Sequence, residues 1–225
     1  MNQLSSYLTA TDAIDSDHDE VRAYARSLAS PDEDARARAV KLYYGVRDDI
    51  RYDPYSVGRT LHDFKASTTL ATGAAWCVPK AVLYAALCRA SGIPARLGFA
   101  DVRNHLSTER LRERMQTDVF IWHGYVSVWI EERWVKATPA FNLTLCQKFG
   151  LKPLEFDGRH DSLYHEFDQA GNRHMEYIRE RGEFADLPLQ QILADLDSVY
   201  GSGILDTDDT ANFETDVDRE VGLPS

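Results

Sequence analysis

The 225-residue chain reads as an α+β fold in which helices come first and an antiparallel sheet follows. Three observations carry that reading. A capped, periodic helical segment follows Ser30, the run from Cys77 to Ser91 is apolar on nearly every side, and beyond Gly92 the chain changes to short blocks of β-branched and aromatic residues.

Taken in order, a first helix is expected over 17–28. A second opens with Ser30 as N-cap, Pro31 at the first helical position and an acidic first turn, and carries Ala35, Ala39, Leu42 and Val46 at helical spacing. Pro54 forces extended backbone on Asp53 and closes this region with a loop. The helix from Cys77 has Pro79 in its first turn and stops at Gly92, with Pro94 two residues on. Being apolar all round, it belongs at the centre of the core. Strands are expected over 95–102, 118–130 and 133–138, the last two joined by a short turn at Glu131 and Glu132. A short helix ending at Gly150, a strand over 163–168 and a helix from about Pro188 to Tyr200 follow. Residues 1–203 are thus expected to form one domain that includes the N-terminal helices. From Leu205 onward seven acidic residues face Arg219 alone, so 204–225 is expected to be an acidic, flexible tail.

With 25 Lys and Arg against 36 Asp and Glu, the formal charge of −11 offers no basic field for a nucleic acid or an anionic membrane, and neither is expected as a partner. No run approaches the roughly 18 apolar residues of a spanning helix, and the first twenty residues lack the basic and apolar regions of a signal peptide. A cytoplasmic location is expected. Three cysteines at irregular spacings point to reduced thiols rather than a disulfide framework.

Cys77 lies where the small-residue loop Thr72–Trp76 enters the central helix, and a helix N-terminus favours a thiolate. Cys88, eleven residues on, is about 16 Å away along the same helix and cannot act with it; Cys88 and Cys146 read as core. His123 sits in a strand of the adjoining sheet, on the same face as Ile121 and Tyr125, and a cysteine at a helix start with such a histidine can form a thiol–imidazole pair.

The motifs Gly73-x-x-x-Cys77-x-x-x-Ala81 and Arg89-Ala90-x-Gly92-Ile93-Pro94-Ala95-Arg96, with His123-Gly124-Tyr125-Val126-x-Val128, resemble the nucleophile helix and histidine strand of the transglutaminase-like superfamily of cysteine enzymes. The resemblance spans about residues 40 to 142 and is of the bacterial cysteine-protease type. It implies a papain-like core with the nucleophile helix packed on an antiparallel sheet, N-terminal helices preceding it, and the chain order Cys77, His123. It also implies an aspartate before a proline on the next strand, where this chain has Thr138 before Pro139. A hydroxyl can orient an imidazole but cannot stabilise its cation. Asn142 is the expected substitute, through its amide oxygen, and Asp157 a more remote one. Ala75 stands where such proteins commonly have glycine. Trp76 and Trp122 flank the proposed nucleophile and base, and either indole N–H, with the Cys77 backbone N–H, suits an oxyanion or walls the acyl slot.

These readings converge on a cysteine hydrolase or acyl transferase acting on a peptide or protein amide through a Cys77 thioester, a peptidase or amidase before a crosslinking enzyme. The rival is a transglutaminase-like binding module, motivated by Thr138. No cofactor and no metal is expected: His160 and His165 lack a ligand spacing, and Asp206–Ala211 lacks the glycine of a calcium loop.

Overall fold

The computed structural model describes residues 4–104, 107–163, 175–201 and 212–222. Helix α1 (Asp19–Leu28) and helix α2 (Ala35–Asp49) lead into a two-residue strand β1 (Arg51–Tyr52), short helices α3 (Leu61–Phe64) and α4 (Ala66–Thr72), and a second two-residue strand β2 (Ala74–Ala75). The second helix starts later than its sequence suggests. Asp34 is the N-cap, accepting the Ala37 N–H at 2.7 Å, while Ser30–Glu33 forms a separate turn closed by the Glu33 carboxylate on the Ser30 N–H. Two capping signals stand four residues apart, and the one nearer the apolar run wins.

Helix α5 (Cys77–Ala90) is the axis of the molecule. All but the last of its residues are buried, α1, α2 and α4 pack around it, and its remaining side lies on the sheet. That sheet has the order β5-β4-β3-β6 and is antiparallel throughout, with β3 (Ala95–Asn104), β4 (Val119–Ile130), β5 (Arg133–Ala137) and β6 (Met175–Phe184). The β4–β5 turn places both Glu131 and Glu132 at positive φ, the backbone of a primed hairpin turn. Helix α6 (Glu109–Met115) lies between β3 and β4, α7 (Leu143–Lys148) follows β5, and α8 (Leu189–Tyr200) and α9 (Phe213–Glu220) follow β6. The strand expected over 163–168 lies, from 164 on, outside the described residues.

Two buried cations tie the layers. Lys80, wholly buried in α5, donates to the carbonyls of Arg47 (3.0 Å) and Ile50 and so closes the C-terminal end of α2. Arg89 donates to the carbonyls of Thr9, Ala95 and Ala185, three otherwise separate segments. Among the described residues no helix is long and apolar enough to cross a membrane.

The tail expected to be solvated over 204–225 is, where described, a docked helix. Phe213 and Val217 of α9, four residues apart, are buried; Phe213 meets Tyr52 and Tyr55 edge-on at 5.9 and 5.4 Å. Asp216 accepts the Tyr55 hydroxyl at 2.9 Å, and Lys148 pairs with Glu214 and Asp218. One apolar stripe outweighs the acidic composition, because the acids find cations on the surface they face.

Candidate active site

Cys77 opens α5, with Trp76 as its N-cap residue in extended backbone. The approach of this helix end to the sheet depends on Gly124. A Cβ there would meet Val78 Cα at 3.2 Å and the Cys77 carbonyl oxygen at 3.3 Å, so only glycine lets the strand lie this close to the nucleophile. The next residue back is His123. Cys77 and His123 both wall one open-mouthed cleft. Parallel pairing of Tyr52 with Ala75 brings the Tyr52 ring to the same cleft.

The thiol is not the low-pKa group that its helix position suggests. Burial pushes Cys77 up to about 11, against the N–H groups of Gly124, Cys77 and Val78 that would favour the thiolate. Desolvation outweighs the helix end here because Cys77 is only 6% exposed. Tyr52 and Tyr200, two further cleft residues, have hydroxyls raised first by burial and in smaller part by the proximity of Cys77.

The two tryptophans separate. Trp76 lines the cleft with Cys77, and its indole nitrogen is buried with no hydrogen-bond partner among the described residues. Trp122 instead donates its indole N–H to Asp195 at 2.9 Å, meets Phe99 edge-on at 5.2 Å and lies under the Arg181 guanidinium at 4.6 Å. It is fully buried on the other side of the strand and does not wall the cleft.

Thr138 is buried, its backbone tied to Ser162 and Tyr43, and its hydroxyl has no partner among the described residues. It lines a second cavity, with Lys136, Tyr125 and Glu180, and the residue shared between this cavity and the cleft is His123. His123 thus borders both the cleft that holds Cys77 and the cavity that holds Thr138. Asn142 caps α7 and spends its amide on fold: the oxygen accepts the Tyr52 N–H at 3.0 Å and the nitrogen donates to Thr144 at 2.6 Å. Asp157 is engaged on the surface with His160 Nδ1 at 2.7 Å and with two backbone N–H groups, which hold its carboxyl well below the usual range. Cys88 and Cys146 are buried free thiols, both pushed up by burial, Cys146 to about 12.

Sequence reasoning missed the network behind His123. Trp122 has φ +58, rare for a non-glycine residue, at a register shift between β3 and β4. Its N–H is taken by Asp101 at 3.1 Å, and Asp101 also accepts from Arg179 (2.8 Å) and from Arg181, which bridges on to Asp195. Nothing in a strand-like FADV would single out this aspartate, whose function is to hold a backbone bulge. α8 was legible as a helix, but its place as a wall of the cleft, through Leu196 and Tyr200, was not.

Residues 22–139 match the family model described as the transglutaminase-like superfamily, and since that is more than half of the chain, the protein belongs to this superfamily. Similar solved structures include the following two. One, a candidate cysteine protease from Cytophaga hutchinsonii, is 16% identical with a TM-score of 0.47, covering 81% of this chain and 54% of that one. The other, a candidate protease from Parabacteroides distasonis, is 13% identical with a TM-score of 0.37, covering 52% of this chain and 22% of that one. The chain therefore spans about half the length of the first and less of the second. No curated protein matches.

Proposed function

We propose that this protein is a cysteine hydrolase of amide bonds, with Cys77 as nucleophile and His123 as acid and base. The observation that carries this reading is that Cys77 and His123 share one cleft, also lined by Trp76, whose buried indole N–H has no partner among the described residues. In the resting state burial keeps the proton on the Cys77 thiol, and position 138 carries a hydroxyl in place of a carboxylate. Activation is then general-base catalysis at the moment of attack rather than a standing ion pair.

Sγ attacks the carbonyl carbon while His123 takes its proton. The oxyanion accepts from the Cys77 N–H and the Trp76 indole N–H. As the C–N bond breaks, the imidazolium returns that proton to the leaving amine, and water, deprotonated by His123, then cleaves the thioester and restores the thiol. Transfer to an amine differs only in the last nucleophile. The test is mass-spectrometric capture of an acyl group on Cys77 from a peptide amide, followed by its release with and without an added primary amine. A hydrolysed product in both cases supports the reading; an amine adduct in place of the acid moves it to acyl transfer; no acyl-enzyme in a folded protein favours a binding module, the alternative that Thr138 and the raised Cys77 support.

A further inference from the structure

We infer that the cleft selects its substrate through one bulky apolar side chain on the acyl group, an inference that rests on the proposed hydrolase reading. Four separate elements deliver the wall: Val57 from the loop after β1, Leu111 and Met115 from α6, Phe120 and Ile121 from β4, and Leu196 from α8. Convergence of apolar side chains from four elements beside a nucleophile is costly to leave hydrated, and a ligand side chain that fills the space removes that cost. Arg114, the one charged side chain among the described residues of the wall, already has an interaction of its own.

A second observation shows why recognition falls on the side chain. A peptide could also bind by pairing with an open strand edge, and among the described residues β5 covers β4 over Val126–Ile130 and leaves its earlier part open. In the cleft that edge is already taken. The Tyr200 hydroxyl accepts the Ile121 N–H at 2.7 Å and donates to the Val119 carbonyl at 2.8 Å, closing both main-chain groups a substrate backbone would use there. Specificity must then come from burial of the substrate side chain, where each methylene is worth roughly 10- to 200-fold in discrimination.

The test uses the full chain and N-acetyl aminoacyl chloromethyl ketones bearing Phe, Leu, Ala or Asp side chains, which alkylate a cysteine with loss of chloride. Labelling is followed peptide by peptide, with Cys88 and Cys146 as internal controls. The Phe and Leu probes are expected to label Cys77 at least about tenfold faster than the Ala and Asp probes. In Val57→Asp, a change in a half-buried loop position, the Phe-to-Ala ratio should collapse toward one. Equal rates for all four probes on the wild type would overturn the inference while leaving the hydrolase reading in place, and a preference for the Asp probe would assign selection to Arg114 instead. Labelling of Cys77 by iodoacetamide but by none of the four ketones would overturn both.

Discussion

Restoring the missing carboxylate is the perturbation that interrogates this site most directly. Thr138→Asp places a carboxylate at a buried position whose present hydroxyl has no partner among the described residues and which shares a cavity with His123. An imidazolium about 4 Å from such a carboxylate gains about 4 kcal/mol at an effective dielectric of 20. At 1.36 kcal/mol per unit that is about three pH units, or about a thousandfold in the population of the thiolate–imidazolium form. The Cys77 thiol, which burial raises in the native protein, should then ionise at lower pH, because a stabilised imidazolium favours the thiolate beside it. The assay is the pH dependence of Cys77 alkylation by iodoacetamide, read against Cys88 and Cys146 in the same digest. Thr138→Asn is the control, matching the shape of the aspartate without its charge, and should leave the profile nearly where it is. The sign is fixed: the added anion favours the charged pair, so reactivity at neutral pH rises. A folded Thr138→Asp protein with an unshifted profile would refute the claim that position 138 faces His123.

Other outcomes follow from the same geometry. Trp76→Phe, which keeps the edge contact with Phe64, should lower kcat by about 10²- to 10³-fold with little change in KM; an unchanged kcat would remove the indole from the oxyanion site. Gly124→Ala forces the α5 start and β4 apart by a few tenths of an ångström against backbone, so activity should fall by up to about 100-fold for a stability loss of about 1–3 kcal/mol, read by kinetics and thermal melts together. At Asp101, burial raises the carboxyl but Arg181, the Trp122 N–H and Arg179 overcome it and hold it below its ordinary value. Its contribution is therefore present above the unfolded value of about 3.9 and lost as pH falls below it. Asp101→Asn should cost about 3 kcal/mol at pH 7, and the gap to wild type should narrow in denaturant titrations below about pH 4; a pH-independent gap would refute the ionic account. Phe213→Ala should strip hydrogen-exchange protection from α9 while sparing α5, because α9 docks by that ring on Tyr52 and Tyr55.

The elements that bury a continuous apolar surface were legible. α5 and the β3–β5 meander show their period and their punctuation in the chain, since Pro79, Gly92 and the Glu131–Glu132 turn mark where backbone must change direction. β6 was not, because MEYIRERGEF alternates no apolar face; it is a half-exposed edge strand held by main-chain bonds to β3 and by side-chain pairs such as Arg96 with Glu183. At the site, residue types and order gave Cys77 and His123. They could not tell Trp76 from Trp122, which differ only in the side of the strand and helix they fall on, nor show that Asn142 spends its amide on Tyr52 and Thr144.

The Cys77 pKa is the case where a local rule and the tertiary environment give opposite signs. A helix end offers the thiolate its N–H groups, and they are present here, from Cys77 and Val78 as well as Gly124. Their combined effect is smaller than the loss of water, because the same glycine that supplies one donor also lets the sheet press against the helix start. In a triad with its carboxylate the imidazolium would offset that loss, and a buried thiol would still ionise. Position 138 supplies no such carboxylate, and burial keeps the proton on the Cys77 thiol at rest. Turnover must then begin with a proton transfer that coincides with bond formation. Acylation should consequently show a normal solvent isotope effect in the native protein and lose most of it in Thr138→Asp, where the proton has moved before attack; an isotope effect that is the same in both would mean that the resting pair is already charged.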